Sequence, residues 1–191
     1  MLKNGRYYKE KTCKVSVDTT DCHIQEPKQS EYIRAKLRAK GDLHNPYDPR
    51  FKSHKIGKAA LRYELAICIR TGDIVWVNGP FPAGAWNDIA IFKAGIMKML
   101  DEGEKCEVDN GYIGLGTYAR NKHVFVSRVD RKAKSKALAW HECVNRLIKK
   151  FNCTKNMFRH PKEKHGICVG ACVALIQIGF DSGEKPWQVS Y

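Results

Sequence analysis

Two runs of β-forming residues, Leu61–Arg70 (LRYELAICIR) and Ile74–Asn78 (IVWVN), stand on either side of Thr71-Gly72-Asp73. Alternating runs joined by so short a turn signal predict a hairpin. A hairpin commits the chain to a sheet whose apolar face must be covered by another layer. Further β-runs extend that sheet. Cys13–Asp18 (CKVSVD) ends on an acid, Cys22–Glu26 continues or pairs with it, and Pro27 closes it. Cys106–Asp109 (CEVD) ends on a second acid before the turn Asn110-Gly111, and His123–Val129 (HVFVSRV) follows. Gly79–Gly84 (GPFPAG) breaks the pattern after the hairpin.

Helical spacing predicts the other layers. Ser30–Lys40 has Ser30 as a cap and Gly41 as a stop, and Asn87 or Asp88 caps a helix running to about Leu100. Lys134–Asn152 reads as a long helix and Gly166–Gly179 as a final apolar one. Hairpin strands followed by an α-crossover give an α/β fold with a mixed sheet flanked by helices. The 191 residues suit one domain over 1–191. Residues 1–12 read as a polar, basic arm. Residues 28–52, a helix followed by a loop with two prolines, read as a surface insertion.

At 43% hydrophobic residues the chain can bury a core without disulfide staples. Its eight cysteines show neither CxxC nor a paired zinc-ribbon spacing. No signal-peptide-like run opens the sequence, and the apolar stretch Ile167–Phe180 is interrupted by Gln177 and short for a bilayer. These features predict a soluble protein of a reducing compartment, with buried thiols and no membrane partner. Lys plus Arg is 34 against 20 for Asp plus Glu, a formal charge of +14. That balance excludes an acidic disordered tail and points to a polyanionic partner.

Three acids stand out. Asp18 and Asp109 each end a β-run, and if those strands are neighbours both carboxylates emerge at one sheet edge. Glu142 lies in the long helix, whose apolar stripe is Trp140, Val144, Leu147 and Phe151. It falls on the other side, beside Asn145 and Lys149. Mg²⁺ and Mn²⁺ take hard oxygen ligands, so two or three carboxylates with a substrate phosphate can hold them. Two such ions can serve phosphoryl transfer. The competing reading is a solvated Glu and two turn-forming Asp residues. Asp21 and Asp88 are candidates to support the first acid; a turn is the alternative for Asp21, and helix capping is the default reading of Asp88. Lys132, Lys134, Lys136, Arg146, Lys149 and Lys150 cluster around Glu142 and are the candidate contacts to the phosphates of a polyanion. Cys143, Cys153, His160 and His165 have spacings that fit no common zinc finger, so buried thiols and structural histidines are expected there. Trp76, Trp86 and Trp140 are expected in the core.

A family resemblance runs through these residues in order. Val17-Asp18-Thr19-Thr20-Asp21-Cys22, Ser53-His54-Lys55, Leu61-Arg62-Tyr63-Glu64 and Thr71–Pro82 resemble the DDE superfamily endonucleases of Harbinger-type transposases. So do Asp109-Asn110-Gly111-Tyr112, His141-Glu142-Cys143-Val144-Asn145 and Arg159–Gly166. The resemblance covers roughly 13–191. It implies a ribonuclease H-like fold and a DDE triad of Asp18, Asp109 and Glu142 holding two divalent ions, Mg²⁺ or Mn²⁺. The gaps, 109 − 18 = 91 and 142 − 109 = 33, suit its long first and short second spacing. It also implies phosphodiester hydrolysis with optional strand transfer, DNA as substrate, nuclear residence, a homo-oligomer and a separate DNA-binding partner protein. Two positions depart from it: Thr19 stands where Gly is usual, and Asn110 where a further acid is often seen. These departures motivate a rival reading, a catalytically inactive, domesticated DNA-binding or partner-binding domain. A third reading is an unrelated basic phosphatase or nuclease, which requires the three acids to lie far apart.

Overall fold

The predicted hairpin forms one side of the sheet. β2 (Ala60–Cys68) and β3 (Ile74–Pro82) pair antiparallel. The structure, a computed structural model, describes residues 13–27, 30–41, 48–101, 104–109, 112, 124–125 and 131–185. Gly72 turns the hairpin with φ +76, in the left-handed region that glycine enters without strain. Its hydrogen also leaves room for the Trp140 indole: a Cβ would lie 2.4 Å from Cζ2. The indole Nε1 donates to the Gly72 carbonyl at 2.9 Å. β3 runs through Gly79–Pro82, where a break was expected, because Phe81 and Pro82 still find partners in Arg62 and Leu61 across a register shift. Among the described residues β3 borders only β2, and an edge strand tolerates prolines that cannot donate to a ladder.

β1 (Cys13–His23) pairs antiparallel with β2 from Val15↔Cys68 to His23↔Ala60. It is one strand where the sequence predicted a stop at Asp18. Thr19 and Thr20 are β-branched and β2 supplies a partner at every position, so the strand continues. β4 (Lys105–Val108) joins the other side of β1 in parallel, and β5 (Val124–Phe125) pairs parallel to β4. The order is β3-β2-β1-β4-β5, a five-stranded mixed sheet. Residues 123 and 126–129 of the last predicted strand lie outside the described residues.

Parallel neighbours need a crossover. Between β3 and β4 it is α2 (Asp88–Ala94), capped by Asn87, and a 3₁₀ turn at Ile96–Met99. The single helix predicted to Leu100 is interrupted at Gly95, whose backbone is non-helical and lies against Asn78. On the opposite face lie α3 (Arg131–Ile148) and α5 (His165–Asp181), with the short α4 (Asn152–Lys155) between them. The long helix ends four residues earlier than predicted, where the Thr154 hydroxyl donates to the carbonyls of Ile148 and Phe151.

Strand alternation divides the core in two. Leu61, Tyr63, Leu65 and Ile67 face Trp140, Val144 and Ile148 of α3 and Val169, Val173, Ile176 and Phe180 of α5. Val15, Val17, Ala66, Cys106 and Val108 face Phe92, Ile96 and Tyr112. The insertion is less superficial than expected. α1 (Glu31–Arg38) fits the predicted helix, and residues 28–29 and 42–47 lie outside the described residues. Phe51, however, is buried in the first core, and Gly84 and Ala85 donate to the Arg50 carbonyl. The arm 1–12 lies outside the described residues.

Candidate functional site

β1 and β4 run side by side with Ser16 opposite Glu107 and Val17 opposite Val108. The next residue on each strand is an aspartate, Asp18 and Asp109. Adjacent strands are about 4.8 Å apart, so the two carboxylates arise as neighbours. Their proximity registers electrostatically. Burial pushes the Asp18 pKa up to about 6, and the charges of Asp109 and Asp88 add to the rise. Lys55 and the Thr19 amide, 2.7 Å from Asp18 Oδ1, oppose it. Asp109 is exposed just past the end of β4, as predicted, whereas Asp18 is partly buried in mid-strand.

Asp88 belongs to this neighbourhood and is not the helix cap. Asn87 caps α2 by accepting from the Ala90 amide at 2.8 Å. The Asp88 carboxylate accepts from Thr19 Oγ1 at 2.7 Å and from Arg62 Nη1 at 2.9 Å, and Lys55 Nζ lies 3.3 Å away. Thr19, the departure from the family pattern, thus ties Asp88 to the strand that carries Asp18. Lys55 Nζ also donates to Thr19 Oγ1 at 2.9 Å, placing a cation against the acids.

Asp21 does something else. It accepts from Arg62 at 2.6 and 2.9 Å and from the Ser53 hydroxyl at 2.5 Å. Burial alone would raise its pKa, but the hydrogen bonds and charge of Arg62, with Ser53 and Lys55, hold it below the ordinary value. Its role is to neutralise Arg62, which is itself 5% exposed. Arg62 joins Asp21 to Asp88. It had no assigned role in the sequence reading, and its one signal was an arginine inside an otherwise apolar strand. Glu64 was missed in the same way. It is fully buried on β2, its Oε2 accepts from Trp76 Nε1 at 3.0 Å, and burial raises its pKa. The buried Tyr112 hydroxyl lies in the field of Asp88, Asp18, Glu64 and Asp109, and burial first, then these charges, keep it protonated.

α3 is laid along β1. His141 Nδ1 is 3.0 Å from Ser16 Oγ, and two turns on Lys149 Nζ donates to the Asp21 carbonyl and approaches Cys22 Sγ at 3.3 Å. The helix therefore passes Asp18 between these two contacts. Asn145, one turn after His141, has a buried Oδ1 without a hydrogen-bond partner among the described residues. Glu142 follows His141 and is exposed on the flank of the helix. Among the described residues, no three His, Cys, Asp or Glu side chains converge as a metal-holding group. The structure thus brings together Asp18, Asp109 and Asp88, and leaves Glu142 on the neighbouring helix. As a donor set Asp18 and Asp109 suit a hard divalent cation, because neighbouring carboxylates lose their mutual repulsion when one binds.

The basic cluster is only partly a surface. Arg146 is exposed on α3 and Lys150 is exposed two residues past its end. Lys149 is a correction: its ammonium is drawn inward to the carbonyls of Asp21 and Thr154 because both need donors where α3 ends. Lys132, Lys134 and Lys136 lie on the first two turns of α3, and their side chains lie outside the described residues. The expectation of buried thiols holds for Cys143 and Cys172, whereas Cys153 and Cys168 are only half-buried. His165 spends both ring nitrogens internally, with Tyr63 Oη at 2.7 Å and the Cys153 carbonyl at 3.1 Å. Trp140 is in the core as expected, whereas Trp76 and Trp86 are only partly buried.

No family model, curated protein or solved structure matches the chain.

Proposed function

We propose that the chain is a DDE-type, divalent-metal-dependent DNA endonuclease or transposase catalytic domain with a ribonuclease H-like fold, acting on DNA phosphodiesters. The observation that carries the reading is the pairing of β1 with β4, which makes Asp18 and Asp109 neighbours although 91 residues separate them. The element order supports it as well: three antiparallel strands, a helix, then parallel strands and helices on both faces. So does the path of α3, which carries Glu142 past the strand that holds Asp18.

In this reading Asp18 and Asp109 hold Mg²⁺ or Mn²⁺, two ions in the full site, with Glu142 as the further ligand. Such ions supply Lewis acidity and charge neutralisation at the phosphoryl group. The protein's own part is positional. Arg62 and Lys55 fix Asp88 beside Asp18, and the Ser16–His141 contact sets the height of α3 over β1. Exposed Arg146 and Lys150 draw the DNA backbone to the same helix, contributing affinity without sequence information. Nuclear residence and a separate DNA-binding partner protein belong to the same proposal.

One observation favours a second reading. Among the described residues Glu142 does not gather with Asp18 and Asp109 into a metal-holding group, as in a derived domain that binds DNA or a partner protein and no longer cuts. Mn²⁺ titration followed by electron paramagnetic resonance separates the two. The nuclease reading expects saturable binding that Asp18→Asn and Asp109→Asn each remove. Binding that is absent, or unchanged in both variants, favours the inactive domain.

A further inference from the structure

Four thiols gather where the end of β1 meets α4 and α5. Cys22, Cys153 and Cys168 each lie close enough to Cys172 to raise its pKa. The proposed reaction uses none of the four. Two of them touch: Cys153 on α4 and Cys172 on α5 place their sulfurs 3.5 Å apart, in hydrogen-bond contact. The backbone around Cys153 is held from two sides. His165, at the start of α5, sets its Nε2 3.1 Å from the Cys153 carbonyl. Lys149 Nζ reaches the Thr154 carbonyl and also donates to the carbonyl of Asp21 on β1. α4 is thereby fixed against α5 and β1 before any covalent bond joins them.

A disulfide holds its sulfurs about 2.05 Å apart, so this pair is about 1.5 Å short of bonding distance, within reach of small side-chain rotations. The two thiols differ in access. Cys153 is half-buried, whereas Cys172 is 4% exposed. Burial first, then the hydrogen bond and charge of Cys153, push the Cys172 pKa up to about 12, so Cys172 waits as a thiol. We propose that Cys153 and Cys172 are a reversible dithiol–disulfide pair, oxidised by a hydroperoxide, that clasps α4 to α5. Cys153, the accessible member, gives up its proton and attacks hydrogen peroxide. An S–O bond forms, the O–O bond breaks, and the second oxygen leaves as water. The resulting sulfenic acid is uncharged, so it no longer opposes ionisation of Cys172. The Cys172 sulfur then gives up its proton and attacks the Cys153 sulfur. The S–S bond forms, the S–O bond breaks, and hydroxide leaves with that proton as a second water. Two thiols and one peroxide thus become one disulfide and two waters. Disulfides of a reducing compartment are mostly of this transient kind.

The test treats the full chain, reduced and then freed of reductant, with a small excess of hydrogen peroxide under native conditions. Free thiols counted after denaturation should fall from eight to six, and the intact mass should drop by two hydrogen atoms. The peptide map should show Cys153 joined to Cys172. The oxidised chain should melt about 5 °C higher, because the bond closes a loop between cysteines 19 positions apart and so restricts the unfolded chain. Dithiothreitol should reverse these changes. Cys172→Ser should leave Cys153 as a sulfenic acid that dimedone traps, and Cys153→Ser should give no cross-link. The map of the parent decides the pairing even if a variant does not fold. Three results would overturn the proposal: a parent that keeps all eight thiols, a bond that joins any other two cysteines or two chains, or an oxidised chain that melts no higher than the reduced one.

Discussion

His141 on α3 places its Nδ1 3.0 Å from the Oγ of Ser16 on β1, two residues before Asp18. Both residues are buried, and burial pushes the His141 pKa down to about 3, so the ring is neutral and the contact is an uncharged hydrogen bond. It sets where α3, and with it Glu142, lies over the strand. Ser16→Ala removes the partner and leaves a buried ring nitrogen unsatisfied, a loss of about 1–3 kcal/mol. Urea denaturation should show that loss, and Ser16→Thr should recover part of it. A fully neutral Ser16→Ala would mean that apolar packing alone places α3.

The Asp21–Arg62 pair is a stability element. Arg62 is buried and bonded to both Asp21 and Asp88. Asp21→Ala strips its main neutralising partner and should cost about 3–5 kcal/mol, the range for an orphaned buried charge. The double variant Asp21→Leu/Arg62→Met should lose less than Asp21→Ala alone. Denaturation midpoints of the three proteins decide this, and equal stability of Asp21→Ala and the parent would contradict it.

Asp18 gives stability an unusual pH dependence. Its folded pKa of about 6 lies above the ordinary 3.8, so the folded state holds this proton more tightly than the unfolded one. Stability from this group is therefore present at low pH and lost as pH rises from about 4 to 6, on the order of 2 kcal/mol. Asp21, held below its ordinary value, acts in the opposite sense: its contribution is lost as pH falls below 3.8. In metal-free buffer Asp18→Asn should be more stable than the parent at pH 7, with the difference vanishing towards pH 4. A constant difference across that range would contradict the assignment.

The hairpin, the alternation of the sheet and the apolar stripe of α3 were legible in the sequence because each is a local period. So was the end of β4 beside Asp109. The position of Asp18 was not. Its strand looked complete at the acid, and only pairing with β2, from Asp18↔Leu65 to His23↔Ala60 and so 47 to 37 residues away, carries it on to His23. Lys149 misled, and Arg62 went without a role, for a related reason. A basic residue between polar or apolar neighbours reads as a surface charge until the carbonyls and carboxylates it satisfies, brought from distant elements, are known. The neighbourhood of Asp18 and Asp109 could be expected only conditionally, on their strands being adjacent. Asp88 entered through Thr19 and Arg62, contacts across 69 and 26 residues that no spacing rule reports.

The most direct measurement is nicking of supercoiled plasmid DNA by the full chain with Mg²⁺ or Mn²⁺, beside Asp18→Asn, Asp109→Asn and Glu142→Gln. The account predicts cleavage that needs the metal and falls at least about a thousandfold in each variant, while DNA binding, read by fluorescence anisotropy, stays within about threefold of the parent. Cleavage that persists equally in all three variants, or that continues undiminished in EDTA, would contradict it.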